Sequence, residues 1–143
     1  MSIFWLAALL TVSMDQLSKY LVIKKLGLDE VSPIIFNQGI SWGSGIFSGW
    51  EKLIDIIFLL FFFWWWKRHA SQTKLSQISW GLLLGGGLSN MLDRFFYGGV
   101  VDWWRWETLG FTNNLADVLI FLAVIGIIAG ELLENSQKVE KQK

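Results

Sequence analysis

Long apolar stretches alternate with short polar connections along the whole chain. Four of these stretches come close to the roughly 20 apolar residues that a helix needs to cross a bilayer. They cover residues 2–23, 51–66, 78–96 and 114–133. The pattern predicts an all-α membrane protein with four transmembrane helices, folded as a single domain over residues 1–135. Residues 136–143 form a polar tail that we expect to be disordered.

The sequence also predicts how the helices are connected and packed. Residues 24–51 are polar and rich in glycine, and Ile34 to Phe36 predict a short strand-like segment in this first loop. The second connection, 67–77, is basic, and the third is short and aromatic. Small residues let helices approach closely in lipid, so the glycines of the third stretch predict close helix packing. They are Gly81, Gly85, Gly86 and Gly87.

Composition supports a membrane protein and excludes several functions. Apolar residues make up 53% of the chain, with ten tryptophans, eleven phenylalanines and a mean hydropathy of +0.45, more than a soluble domain needs. The net charge of zero gives no sign of a nucleic-acid-binding surface. There is no cysteine to form disulfides or act as a nucleophile. The single histidine, His69, lies far from the acidic residues, which excludes a Ser/His/Asp triad and most zinc hydrolases.

Basic residues are distributed unevenly between the two ends of the predicted helices. One end carries Lys67, Arg68, Lys74, Lys138, Lys141 and Lys143. The other end carries Lys24, Lys25, Lys52 and Arg105. Because basic residues favour the cytoplasmic side, both termini and the tail are predicted to be cytoplasmic, and the first and third loops extracytoplasmic.

With this orientation, the polar residues that interrupt the apolar pattern all fall near the extracytoplasmic side. A carboxylate at the centre of a membrane helix costs roughly 3 kcal/mol, so it calls for a partner or a function. Polar residues that were merely tolerated would be scattered over both ends. We therefore expect a functional site on this side. Its candidate residues are Asp15, Lys19, Asn37, Gly39, Asn90, Asp93, Arg94, Asp102, Asn114 and Asp117.

Spacing assigns structural roles to some of these charges. Asp15 and Lys19 are four residues apart on one helix face, so they are expected to form a pair that orients the first helix. Asp93 and Arg94 are adjacent, so each has to face a different element. Asp55, near the start of the second helix, is expected to be a solvated or headgroup-level charge.

Asp102 and Asp117 have no obvious basic partner apart from Arg105. Asp102 lies in the short third connection and Asp117 begins the next helix, so the two can approach each other. Two neighbouring carboxyl groups cannot both ionise cheaply, so they share one proton. One of them is then an acid and the other a base at the same pH. Such a pair can activate a water molecule against an amide bond.

Five short strings occur in order along the chain. They are DQLSK at 15–19, FNQGISWG at 36–43, GGGLSNMLDR at 85–94, GGVVDW at 98–103 and NLAD at 114–117. Together they resemble the bacterial lipoprotein signal peptidase family, signal peptidase II. Any one string is weak evidence for this family, whereas five strings in this order and at matching membrane depth are specific to it.

The resemblance implies an intramembrane aspartic endopeptidase of the bacterial cytoplasmic (inner) membrane. Such an enzyme removes signal peptides from prolipoproteins, cleaving N-terminal to a cysteine that already bears a diacylglyceryl group. Asp102 and Asp117 would be its catalytic dyad, with the active site towards the extracytoplasmic face. No metal or organic cofactor is implied, and we expect a monomer surrounded by membrane lipid.

The same motifs imply roles for the other candidates. Asn90, Asp93, Arg94 and Asn114 would shape the site and contact the substrate. Asn37 and Gly39 would lie in the outer loop that covers the substrate, and Asp15 and Lys19 would support the polar pocket. The segment between the first helix and FNQGISWG is short, and Asn113 stands where the family commonly has phenylalanine. Both departures bear on substrate range.

Three other functions stay open. A non-catalytic scaffold with the same fold could lose a dyad aspartate, but both are present. An ion or proton pathway would need polar groups through the full depth of the membrane, and the second and fourth helices are apolar towards the cytoplasm. A serine hydrolase would need Ser41 or Ser89 beside Lys19 as the base, and no sequence pattern brings these residues together.

Overall fold

A computed structural model describes residues 2–26, 34–37, 50–69, 73–106, 108 and 110–140. Within them the chain forms four three-residue strands and four helices, namely α1 Ile3–Leu26, α2 Glu51–His69, α3 Lys74–Tyr97 and α4 Leu115–Glu140. The mostly helical architecture predicted from the apolar pattern is therefore confirmed.

The turn between α2 and α3 is tighter than the predicted basic loop over 67–77. α2 continues to His69 and α3 already begins at Lys74. Thr73 has extended backbone geometry, and its side-chain oxygen accepts a hydrogen bond from Ser76 N at 3.2 Å. A threonine in this position satisfies one of the free N–H groups of the first turn, which explains why α3 starts here.

The last helix is longer than predicted. α4 runs to Glu140, and its last turns carry an ion pair between Lys138 and Glu134, 2.9 Å apart and four residues apart in sequence. Such pairs stabilise an exposed helix. The expectation of a disordered tail is therefore wrong for residues 136–140, and residues 141–143 lie outside the described part.

Glycines let α3 approach its neighbours closely. α3 packs mainly against α1 and α4. A Cβ atom at Gly81 would come 2.5 Å from the carbonyl oxygen of Phe4, and one at Gly85 would come 2.5 Å from that of Ala8. Gly86 faces α4 in the same way. The predicted packing role of these three glycines is confirmed.

Two small antiparallel ladders lie beside the ends of α3 and α4. β1 Ile35–Asn37 pairs with β2 Val100–Asp102, so that Ile35 lies opposite Asp102. β3 Trp104–Trp106 pairs with β4 Phe111–Asn113. The strand predicted in the first loop is therefore confirmed.

The third connection was predicted as a plain aromatic loop and instead holds three of the four described strands. Gly98 has a φ of 75° at the end of α3, and Gly110 has a φ of 71° before β4. Glycine adopts this left-handed conformation without strain, which lets the chain turn back on itself at both places. This turning brings β2 alongside β1 and fixes the backbone at Asp102.

The pattern of burial is inverted relative to that of a soluble protein. Large apolar side chains are exposed along all four helices, whereas Asp15 is 0% and Lys19 is 2% exposed. Among the described residues, Ile3–Leu26 and Leu115–Ser136 are long and apolar enough to cross a membrane. These features are consistent with a membrane protein. Among the described residues, one cluster of buried apolar side chains consists of Phe4, Ala8, Phe62, Trp80 and Leu84.

Candidate active site

A buried polar cluster lies where the last turns of α3 meet α1, β2 and the beginning of α4. Polar groups buried in an apolar bundle have to be satisfied by each other. The contacts here form two halves, a charged half around Lys19 and a carboxylate half around Asn114. The buried members are Asp15, Lys19, Ser89, Asn90, Asp93, Asp102 and Asn114.

Lys19 is the centre of the charged half. Its Nζ lies 2.5 Å from Asp15 Oδ2 and 2.6 Å from Asp93 Oδ2. It also donates a hydrogen bond to Asn90 Oδ1 at 3.1 Å. The predicted pair between Asp15 and Lys19 is therefore present, and Lys19 joins α1 to α3 as well. Asp93 faces α1, as its position next to Arg94 required.

Both carboxylates of the charged half also hold backbone amides. Asp15 Oδ1 accepts a hydrogen bond from Ala116 N at 2.8 Å, and Asp93 Oδ2 accepts one from Val101 N at 3.0 Å. Each of these amides belongs to the residue immediately before one of the two aspartates predicted as a dyad. The charged half therefore positions the backbone that carries both aspartates.

Asp102 projects from β2 and is 1% exposed. Its Oδ1 accepts a hydrogen bond from Asn114 Nδ2 at 2.8 Å. Its Oδ2 accepts one from Asn37 Nδ2 at 3.1 Å, and Thr112 Oγ1 donates to the same oxygen at 3.4 Å. The donors come from the start of α4, from β1 and from β4. Both strand ladders thus contribute to holding this carboxyl group.

Asp117 lies in the first turn of α4 and takes part in its cap. Its N–H donates to Asn114 Oδ1 at 3.0 Å, and Asn114 N donates to Asp117 Oδ2 at 3.3 Å. This reciprocal arrangement is the capping box of a helix N-terminus. The other oxygen of Asp117 accepts from Asn90 Nδ2 at 2.9 Å.

Two amide side chains connect the aspartates to each other and to the charged half. Asn114 Nδ2 donates to Asp102 and also to Asn90 Oδ1, at 3.2 Å. Asn90 Oδ1 therefore accepts from both Lys19 and Asn114, and its Nδ2 faces Asp117. The structure thus brings Asp102 and Asp117 into one hydrogen-bond network of two asparagines.

The surroundings of Asp102 make it a group that titrates near neutral pH. The pKa of Asp102 is raised to about 6, chiefly by burial and to a smaller extent by the negative charge of Asp117. Hydrogen bonds from Asn37 and Asn114 and the positive charge of Lys19 lower this pKa and limit the rise. A carboxyl group with such a pKa can act as an acid or a base near neutral pH.

Arg94 faces away from the two aspartates, towards α2. Its Nη1 lies 2.9 Å from Asp55 Oδ1 and 3.1 Å from Asp55 Oδ2. The Asp55 side chain is only 17% exposed, so the first alternative expected for it, a solvated charge, is wrong. The reason is a long-range partner 39 residues away, which the local pattern does not reveal.

Three residues contribute to the cluster in roles that the sequence did not predict. Gln16 Nε2 donates to Asp93 Oδ1 at 2.8 Å and to Ser89 Oγ at 3.0 Å, and Ser89 Oγ donates to Asp15 at 2.7 Å. Thr112, described above, is the third. Gln16 and Ser89 lie inside the strings DQLSK and GGGLSNMLDR, which was the available signal.

The serine hydrolase alternative loses support from these contacts. An ammonium nitrogen that contacts two carboxylates and an amide oxygen has no lone pair for a serine, and Ser89 is committed to Asp15. Ser41 and Gly39 lie outside the described residues. Within the described ranges, no three His, Asp or Glu side chains are grouped so that they could hold a metal ion.

Comparisons with known proteins indicate the family and the fold of the chain. The family model described as signal peptidase (SPase) II matches residues 7–133. A bacterial membrane enzyme structure obtained by the in meso method at 2.3 Å resolution is 32% identical, covers 93% of this chain and 89% of its own, and has a TM-score of 0.74. A second such structure, at 1.9 Å resolution, is 30% identical, covers 89% of this chain and 90% of its own, and has a TM-score of 0.70.

Proposed function

The chain belongs to the signal peptidase II family, whose members are membrane proteases that process lipoproteins, and we propose that it works as an aspartic endopeptidase. Its substrate is a prolipoprotein with a diacylglyceryl-modified cysteine, and it cleaves N-terminal to that cysteine. Asp102 and Asp117 form the dyad that activates water. No metal or organic cofactor takes part.

The observation that carries this proposal is the shared position of Asn114. It donates from its side chain to Asp102 and from its backbone to Asp117. Two carboxyl groups in one buried network share a proton, so that one serves as a base while the other serves as an acid. Titration then belongs to the pair and not to either residue.

The reaction follows from this division of roles. The ionised aspartate takes a proton from a water molecule, and the water oxygen attacks the scissile carbonyl carbon. The protonated aspartate donates a hydrogen bond to the developing oxyanion and then assists the leaving amine, which becomes the new N-terminus at the lipidated cysteine. Asn90 and Asn114 keep both carboxyl groups oriented throughout.

Substrate recognition uses the protein surface and the membrane together. The lipid chains of the substrate insert between helices in the outer leaflet, and the peptide lies under the first outer loop, which includes Asn37 and Gly39. Asn90, Asp93 and Asn114 shape the pocket around the scissile bond. Arg94, held by Asp55, fixes the beginning of α2 against the end of α3, next to this pocket.

The topology that supports this function has four membrane-spanning helices, cytoplasmic termini and an active site towards the extracytoplasmic face. Family membership and the membrane-enzyme neighbours support an integral inner-membrane protein. The basic residues near the α2–α3 turn and at the end of α4 favour this orientation. The protein acts as a monomer surrounded by lipid.

Cleavage of a diacylglyceryl-modified prolipoprotein by the purified protein tests the proposal. The same prolipoprotein without lipid serves as the substrate control. We expect cleavage of the lipidated substrate alone, and a loss on the order of 10² to 10⁴ in rate for Asp102→Asn and for Asp117→Asn. Glu134→Gln makes the same chemical change outside the site and should retain activity.

Different failures have different meanings. A folded Asp102→Asn or Asp117→Asn variant with full activity would remove that residue from the dyad. A folded parent protein that does not cleave would favour a non-catalytic scaffold with the same fold.

A further inference from the structure

A groove lies between α2 and α3, on the part of the bundle that leads from the middle of α2 towards the α2–α3 turn, away from the polar cluster. Trp80, one of its lining residues, precedes Asp93 by thirteen positions on α3, which corresponds to roughly 20 Å along a helix. The groove has a volume of about 260 Å³ and is lined by Phe58, Phe61, Phe62, Trp65, Trp80 and Leu83. It is therefore apolar throughout and separate from the aspartates.

The dimensions of the groove suit part of one lipid chain. On α2 its lining residues recur three and four positions apart, so they lie on one face of the helix. From Phe58 to Trp65 this face extends roughly 10 Å, which is about a third of a hydrocarbon core of roughly 30 Å. A length of this order lies within a single leaflet.

The aromatic wall of the groove also holds a positive charge. Arg68 Cζ lies 4.3 Å from the centroid of the Trp64 ring. The Trp64 ring centroid is 5.7 Å from that of Phe61 and 6.2 Å from that of Trp65, both of which line the groove. Stacking on an aromatic face attracts a guanidinium group. Arg68 is therefore kept beside the end of the groove.

The charge on the α2 and α3 side of this end is positive. Lys67 and Lys74 are exposed there, and no Asp or Glu occurs anywhere between residues 56 and 92. The acidic residues at this end belong to α4, where Glu131 is exposed and Glu134 is engaged by Lys138. An apolar groove that ends at several cations matches a molecule with an apolar chain and a negative head.

We propose that this groove binds one acyl chain of an anionic membrane phospholipid, whose phosphate is held by Arg68 and Lys67. Basic residues next to the membrane surface attract anionic headgroups, and basic pockets between helices bind them specifically. The lipid binds in the leaflet opposite to the aspartates, so it is a structural lipid of the protein and not its substrate.

Native mass spectrometry of the full chain in detergent micelles tests the proposal. The probes are dioleoyl phosphatidylglycerol and dioleoyl phosphatidylcholine, which have the same acyl chains and differ in headgroup charge. We expect at least fivefold more bound phosphatidylglycerol than phosphatidylcholine on the parent protein. The double variant Lys67→Gln, Arg68→Gln should bring this ratio close to one.

The chain offers a matched control. Lys24 and Lys25 are also an adjacent, exposed basic pair at a helix end, and Lys24 lies 5.9 Å from the centroid of the Tyr20 ring. This pair lies at the other end of the bundle, so Lys24→Gln, Lys25→Gln should keep the preference. Phe61→Ala removes part of the groove wall without changing charge and should lower phosphatidylglycerol retention severalfold.

Three results would overturn the proposal. They are equal retention of both lipids by the parent, equal loss in the two double variants, and unchanged retention in Phe61→Ala. The measurement needs no cleavage, so its outcome is independent of the proposed peptidase activity.

Discussion

Lys19 donates from Nζ to Asn90 Oδ1 at 3.1 Å, and this contact decides which end of the Asn90 amide faces Asp117. With its oxygen held by Lys19, Asn90 presents Nδ2 to Asp117 Oδ1 at 2.9 Å. The buried ion pairs of α1 and α3 thereby reach the proposed dyad through one side chain.

Replacing Asn90 by aspartate keeps the contacts of its side-chain oxygen and removes the contact of its side-chain nitrogen. Asn90→Asp keeps an oxygen acceptor for Lys19 but places an oxygen where Asp117 now meets a donor. We expect kcat to fall on the order of 10²-fold, as for the loss of a preorganised donor, with KM changed less than about twofold because the substrate pocket keeps its shape. Steady-state kinetics on the lipidated substrate measure both quantities.

Asn135, exposed on α4, serves as the control for that change. Asn135→Asp introduces the same charge outside the site and should leave kcat near that of the parent protein. An Asn90→Asp variant as active as Asn135→Asp would mean that the orientation of the Asn90 amide has no part in catalysis.

Lys19 is expected to be essential for folding stability. Lys19→Met leaves Asp15 and Asp93 buried without their counter-charge. Removing one partner of a buried ion pair typically costs about 3–5 kcal/mol. Chemical unfolding in detergent should show a decrease of this size in the free energy of unfolding.

An exposed lysine with the same spacing provides the comparison. Lys138 also pairs with an acid four residues earlier, but its side chain is 65% exposed against 2% for Lys19. Lys138→Met should therefore cost at most about 1 kcal/mol. Similar costs for the two variants would contradict the buried contacts of Lys19 with Asp15 and Asp93 as a source of stability.

The pH dependence of cleavage should contain an ionisation near pH 6. The pKa of Asp102 is raised to about 6, chiefly by burial, and the hydrogen bond from Asn37 lowers it. Asn37→Ala removes a group that favours the ionised form, so the pKa of Asp102 should rise. The limb of the pH–activity profile that reflects this ionisation should then move to higher pH. The measurement is kcat/KM as a function of pH.

The direction of that limb shows which protonation form of the Asp102–Asp117 pair is active. Activity that increases as the pH rises through 6 requires the ionised form, a base, and activity that decreases requires the acid. Asn135→Ala, on the exposed part of α4, should leave the limb in place. A limb that stays put or moves to lower pH in Asn37→Ala would refute this account of the pKa.

The contact between α1 and α3 should not tolerate a methyl group. A Cβ atom at Gly85 would lie 2.5 Å from Ala8 O, whereas one at Gly87 would lie 3.4 Å from Phe58 Cε1, at the end of a side chain. Gly85→Ala should therefore cost about 1–3 kcal/mol from overpacking. Gly87→Ala should be neutral or stabilising by up to about 1 kcal/mol, because alanine favours a helix. Thermal unfolding of both variants measures the difference, and equal melting temperatures would contradict the close approach of the two helices.

Much of the architecture could be predicted from the sequence because it depends on local properties. Hydropathy predicts the four helices, since each apolar stretch has to be helical in lipid. The spacing of Asp15 and Lys19 predicts their contact, because residues four apart on a helix are neighbours. The strand at β1 followed from three consecutive apolar residues. The polar residues after residue 135 suit either a disordered tail or an exposed helix, and the predicted tail was wrong because α4 continues to Glu140.

The sequence by itself determined which residues carry the chemistry, whereas the tertiary structure decided how they are paired. Nothing local connects Asp55 with Arg94, 39 residues away, or Asn90 with Asp117, 27 residues away. The same holds for Asp15 and Asp93, each of which holds the amide just before an aspartate of the proposed dyad. These contacts exist because the helices pack closely at glycines and because β1 of the first loop pairs with β2 of the third connection. A buried polar group has to find its partner wherever the fold places one.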